Sequence, residues 1–221
     1  MAKKIFAALM MFAVMLTSSV ASAVFEENVE EGANLAAVQK IAIAMPNFYK
    51  VADTEPELQD LIKGVYEAGK RSSTLEIVSY EDVAAAIRRD TGVDILSLDV
   101  VEADKVYKKN IARYADAYVV ETVTNNSDLP QLFFYVYKSS DSNLMYTYNV
   151  RSRLYRKRTE DYERMADEFF IQFDTATLNT LEGDAHKQLQ KRQKEIREQK
   201  RKMNRAYAKT KRNKVNMVRK K

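Results

Sequence analysis

Apolar and polar residues recur along this chain in two rhythms, every second position and every third or fourth, and each change of rhythm marks a new element. Residues 40–46, Lys-Ile-Ala-Ile-Ala-Met-Pro, form a short apolar run stopped by proline, the pattern of a buried strand. Within it Ile41, Ile43 and Met45 alternate to one side, Ala42 and Ala44 to the other. Thr54, Pro56 and Glu57 form a capping-box start for a helix with Leu58, Leu61, Ile62 and Val65 on one face, ending near Gly69. A second strand is expected over 75–78. Ser79 with Asp82 opens a second helix through Val83, Ala86 and Ile87, closed by Gly92. Asp99 and Glu102 open a third, in which Val100, Ala103, Tyr107, Ile111 and Tyr114 repeat at helical spacing.

Beyond it the two-residue rhythm returns. Residues 117–124 are rich in β formers, 125–130 turn the chain, and 132–138 with 144–155, joined by 139–143, predict an antiparallel hairpin. Tyr162, Met165, Ala166, Phe169, Phe173 and Ala176 mark a long amphipathic helix over 159–181, ended by Gly183. Residues 26–34, polar and acidic, read as a loose lead-in. Strands separated by helices imply right-handed parallel crossovers, and the hairpin adds antiparallel pairs. The expected class is α/β: one mixed sheet of about five strands flanked by helices, plus a basic C-terminal helical or disordered tail.

Some of these segments carry a resemblance. Ile41-Ala42-Ile43-Ala44-Met45-Pro46-Asn47-Phe48 resembles the "hydrophobic strand, Pro, x, Phe" opening of exported bacterial domains related to the curli-assembly outer-membrane lipoprotein and to the amino-terminal domain of the Tol-system propeller protein. Glu76-Ile77-Val78-Ser79, followed by Val83 and Ile87, is similar to the family's second strand and helix. Ala115-Asp116-Ala117-Tyr118-Val119-Val120 resembles its third strand. The match covers residues 38–124, extending toward 182, and implies a non-catalytic envelope assembly or regulatory module that binds other proteins. The curli-type relatives are tethered by a lipidated cysteine, and this chain has none. The resemblance therefore carries over no lipid tether, and with one candidate hairpin at most it carries over no pore.

Composition narrows the chemistry. With no Cys and one His among 221 residues, disulfides, thiol nucleophiles and thiolate metal sites are excluded. His186 has no second imidazole to share a metal and reads as a solvated residue. Glu26, Glu27, Glu30 and Glu31 lack the spacing of an EF-hand loop. Gly64 and Gly69 form no phosphate cradle after a strand, so no nucleotide, metal or other cofactor is expected.

Charge divides the chain sharply. Residues 186–221 hold 16 Lys or Arg against Glu195 and Glu198, a net of +14, whereas residues 24–185 sum to −11. At the other end, Lys3 and Lys4 precede an uncharged stretch over 5–16 and the small-x-small site Ala21-Ser22-Ala23, the plan of a signal peptide cleaved before Val24. An uncleaved anchor reaching into residues 17–24 is the alternative. The expected organisation is a signal peptide (1–23), an acidic lead-in (24–37), an acidic α/β domain (38–185) and a basic tail (186–221).

Two groups of side chains are candidate binding surfaces. The tail offers Lys191, Arg192, Lys194, Arg197, Lys200, Arg201, Lys202, Arg205, Lys209, Lys211, Arg212 and Lys214. Leu189, Ile196 and Met203 supply one apolar residue per heptad, too few for a coiled coil, and self-repulsion predicts disorder from about Ala208 when the tail is free. The hairpin offers an aromatic group of Phe133, Tyr135, Tyr137, Tyr146 and Tyr148, which reads first as packing against helices or cross-strand pairing and, as the alternative, as an exposed surface for a partner strand, a peptide or a sugar ring. For an exported chain the polyanions that meet a cationic tail are lipid headgroups and cell-wall polymers, and nucleic acid is disfavoured. The tail can also associate with the acidic domain, its own or a neighbour's. The expected function is a non-enzymatic, exported, envelope-associated interaction or assembly module acting in the periplasm or cell envelope. A small envelope hydrolase and an uptake-type nucleic-acid-binding protein are the alternatives.

Overall fold

The computed structural model describes residues 25–50, 55–124, 129–152 and 158–218, with side chains through residue 206. The signal segment and Thr54 lie outside these residues, as does the end of the last predicted strand. In chain order the elements are β1 (Phe25–Val29), β2 (Lys40–Ile43), α1 (Leu58–Ser72), β3 (Glu76–Val78), α2 (Tyr80–Thr91), α3 (Val100–Asn110), β4 (Ala117–Thr124), β5 (Gln131–Lys138), β6 (Leu144–Arg151), α4 (Thr159–Asn179) and α5 (Gly183–Val218). They build one mixed sheet in the order β1-β6-β5-β4-β2-β3. Strand β2 runs parallel to both β3 and β4, and the remaining pairs are antiparallel.

The sheet has six strands because the acidic lead-in is not loose. Phe25 to Val29 pairs along β6, Phe25 opposite Val150 and Val29 opposite Tyr146. Partners at the far end of the chain decide this, with the Tyr146 hydroxyl donating to Glu27 Oε2 at 2.8 Å and Phe25 stacked on Tyr148. Helix caps follow the expected chemistry where the side chains are short. Ser79 accepts from the Asp82 N–H, Asp99 accepts from Val101 and Glu102, and Gly92 closes α2 at φ 76°. Helix α1 instead starts after Glu57 with no side-chain cap.

Each face of the sheet is covered differently. On one, α1 and α4 lie side by side. The α4 residues Phe169, Phe170 and Phe173 are fully buried, and Phe169 stacks on Phe134 of β5 at 4.4 Å between ring centroids. A side chain of this size contributes roughly 1.5–3 kcal/mol on burial. The close approach of α1 to α4 requires a bare backbone at Gly69, where a Cβ would stand 2.7 Å from the Phe170 ring. On the other face α2 and α3 cover β2 and β4 through a file of tyrosines. Tyr80 stacks on Tyr107, Tyr107 meets Tyr118 edge-on and its hydroxyl donates to the Ile43 carbonyl, and Tyr118 stacks on Tyr137. No described helix is long and apolar enough to cross a membrane.

Candidate functional site

Helix α5 carries most of the candidate side chains, and its geometry follows from its heptad spacing. His186, Leu189, Gln193, Ile196, Arg197 and Lys200 recur every three or four residues and turn toward the domain. The predicted tail is therefore not separated from the domain by a linker. It is a helix that begins at Gly183 and continues through Val218, the helical form of the basic tail.

The seam between α5 and the domain is polar and centres on Asp174 of α4, which is 1% exposed. Its carboxylate accepts from the Thr74 N–H at 2.9 Å, from the Ser73 hydroxyl at 3.4 Å and from Arg197 Nη2 at 3.3 Å. Its carbonyl accepts from Gln193 Nε2 at 3.0 Å. Burial pushes the Asp174 carboxyl above the usual carboxylate range, against the pull of the Thr74 hydrogen bonds and the Arg197 charge. Lys200 donates to the carbonyls of Ser73 and Gly69, the negative end of the α1 dipole. Burial holds its amine below the ordinary lysine range, and Lys70 adds to that while Asp174 opposes it. The ring Nδ1 of His186 lies 3.0 Å from the Leu178 carbonyl, so this residue is half-buried at the joint and not simply solvated.

The candidate cations thus fall into groups. Arg197 and Lys200 are engaged with the chain's own domain. Lys191, Arg192, Lys194, Arg201, Lys202 and Arg205 face solvent, Lys202 paired with Glu198 one turn back at 3.0 Å. Lys209, Lys211, Arg212 and Lys214 lie on the same helix beyond the described side chains.

The aromatic surface is divided by strand register. Phe133, Tyr135 and Tyr137 are half-buried on the face that α2 and α3 leave partly open, the rings of Phe133 and Tyr135 lying nearly parallel at 6.4 Å. Tyr146 and Tyr148 do not belong with them. They pair with Val136 and Phe134, point to the α4 side and are buried at 0% and 1% exposure. Desolvation raises the pKa of both hydroxyls, so they stay neutral.

Sequence reasoning passed over Glu121. It is 3% exposed on β4 beside Phe134, and neither of its oxygens has a hydrogen-bond partner among the described residues. Burial alone pushes its carboxyl up to about 8. Both oxygens are cut off from solvent. An acid in the run Ala117–Thr124, otherwise built of β formers, was the only available signal. Among the described residues no group of three or more His, Asp or Glu is placed to hold a metal.

No family model matches this chain, and neither does any curated protein. Solved structures similar to it include the PelC dodecamer from Paraburkholderia phytofirmans, at 6% identity with a TM-score of 0.40, covering 69% of this chain and 97% of that one. The LpoB C-terminal domain from Salmonella enterica is similar at 12% identity and a TM-score of 0.36, covering 64% of this chain and 92% of that one. TolB from Acinetobacter baumannii is similar at 14% identity and a TM-score of 0.34, over 70% of this chain and 32% of that one. TolB is thus among the similar structures, and its amino-terminal domain is one of those that residues 38–124 resemble in sequence.

Proposed function

We propose that this chain is a non-enzymatic, exported, envelope-associated interaction module, in which an α/β domain engages envelope proteins and helix α5 presents a cationic face to anionic envelope material. One observation carries the reading: α5 has two faces. The inner face is tied to the domain through Gln193, Arg197 and Lys200, which gives the helix a fixed seat. The outer face shows Lys191, Arg192, Lys194, Arg201, Lys202 and Arg205 to solvent. A rigid helix displaying like charges on one side concentrates attraction to a polyanionic surface, each residue contributing about 1 kcal/mol near an anionic membrane.

The test uses the chain from Val24 and a variant with Lys191, Lys194 and Lys202 all changed to Glu, positions that leave the inner face intact. Sedimentation with phosphatidylglycerol vesicles, neutral phosphatidylcholine vesicles and purified cell wall should show binding to anionic material only. Binding should fall steeply with salt, because the screening length is already about 10 Å at 0.1 M. The triple variant should lose it. Equal binding of the variant and the parent, or binding insensitive to salt, would remove α5 from the mechanism.

A further inference from the structure

A cavity of about 290 Å³ opens where α5 crosses the end of α1. Arg71 and Ser72 reach it from the last turn of α1, and Arg197, Lys200, Arg201 and Asn204 from two successive turns of α5. Four cations converge on one concavity from segments more than 120 residues apart in sequence. Their countercharges are unequal. Arg71 is held by Asp167 through hydrogen bonds of 3.1 and 2.7 Å, with Glu163 at 3.9 Å. Arg197 is held by Asp174. Lys200 meets only carbonyl oxygens, which carry partial charge, and Arg201 has no ion pair among the described residues. Among the described residues neither Lys200 nor Arg201 forms an ion pair, although the Asp174 charge acts on Lys200 across the seam. Burial holds the Lys200 amine below the ordinary lysine range, with the Asp174 charge opposing the shift and Lys70 adding to it.

We propose that this cavity binds a phosphate group, with Arg201 and Lys200 as its principal contacts. A phosphate oxyanion accepts the planar fork of an arginine and the point charge of a lysine together, and the Asn204 amide adds a neutral donor. Ile171, 45% exposed, forms an apolar wall beside the cations, which suits a phosphate esterified to a lipid. The same phosphate chemistry is offered by a lipid headgroup and by a free phosphate ester. The inference deepens the envelope-surface reading and rests on it for the lipid as source.

The chain from Val24 is compared with Arg201→Glu and with Lys191→Glu, which makes the same charge change on the same helix outside the cavity. Both positions are exposed, so neither variant disturbs the docked seam. Each protein is titrated with inorganic phosphate by amide NMR, and separately sedimented with phosphatidylglycerol vesicles. Saturable shifts confined to residues 70–74 and 196–205 are expected, with Arg201→Glu weakening phosphate binding at least tenfold and Lys191→Glu less than twofold. Phosphate binding of this kind without any vesicle binding keeps the cavity, assigns it a soluble phosphate ester and overturns the membrane reading. Vesicle binding without saturable phosphate shifts, or equal loss in the two variants, overturns the cavity and leaves the cationic face standing. Binding to neither probe overturns both.

Discussion

Helices α4 and α5 are consecutive, joined by three residues, and contact each other, yet they are held by different physics. Helix α4 sets Tyr162, Met165, Phe169, Phe170 and Phe173 into a dry layer of rings against β5, β6 and α1. Helix α5 meets the buried aspartate of α4 through Gln193 and Arg197 and the end of α1 through Lys200, with His186, Leu189 and Ile196 half-buried on the same side. Hydrophobic burial is nonspecific in direction, carries no titrating group and is not weakened by charge screening, and it makes α4 part of the core. A seam of charge-assisted hydrogen bonds has defined partners and responds to both pH and salt, so the hold on α5 depends on conditions that leave the α4 layer unchanged. The contrast places the durable contacts where the sheet must be completed and the adjustable ones where the cationic face is displayed.

The largest expected effect tests whether the α4 layer is indifferent to pH. Glu121 is the exception within it. Its folded pKa of about 8 lies above the unfolded value near 4.5, so the unfolded chain releases this proton first and stability falls as pH rises from about 4.5 to about 8. Glu121→Gln should leave stability unchanged at pH 4 and raise it by up to roughly 5 kcal/mol at pH 9. Urea unfolding of both proteins across that range checks the difference, and parallel curves would show that Glu121 finds a partner.

Next in size is the layer itself. Phe169→Ala removes a ring that contacts Phe134, Phe170, Phe173, Tyr146 and Tyr148 and should cost about 3–5 kcal/mol. Denaturation should show the sheet and α5 lost in one transition, since α5 has no seat without α4.

A smaller effect should separate the two helices. Asp174→Ala strands the Thr74 N–H and Arg197, about 1–3 kcal/mol for a buried group left unmet. Brief trypsin treatment should then cut at Lys191 and Lys194 while residues 25–179 stay protected. Asp174→Asn should hold α5 better than the alanine variant, because burial already disfavours the ionised carboxylate and the amide retains the Thr74 contact. If α5 stays as resistant as the domain in the alanine variant, the apolar contacts of Leu189 and Ile196 hold it and the contrast fails.

The smallest effect lies on the outer face. Lys202 pairs with Glu198 while 73% and 62% of their side chains are exposed, so Lys202→Ala should change thermal stability by no more than about 0.5 kcal/mol. Anionic-vesicle binding should weaken in the same variant. A large stability loss would mean that the outer face is structural.

Local pattern in the sequence was enough to determine most elements of this protein. The Ile41–Ala44 run, the Ser79 and Asp99 caps, Gly92 and the Phe169–Phe173 spacing are each decided within a few residues, because caps and periodicity act over one or two turns or a single strand. The charge division at residue 186 was equally legible, since net charge is a sum over composition and needs no fold. Only tertiary structure decided the rest. Strand β1 exists because β6, some 120 residues later, offers Tyr146 and Tyr148. Those two tyrosines are core because the register of β5 against β6 sets them opposite Val136 and Phe134, and a shift of one residue would turn them outward. The seat of α5 rests on Gln193, Arg197 and Lys200 finding Asp174, Gly69 and Ser73. Polar side chains have no periodic signature when their partners are distant in sequence, so the chain's composition declared a basic segment and the folded surface alone determined which of its cations are engaged and which are displayed.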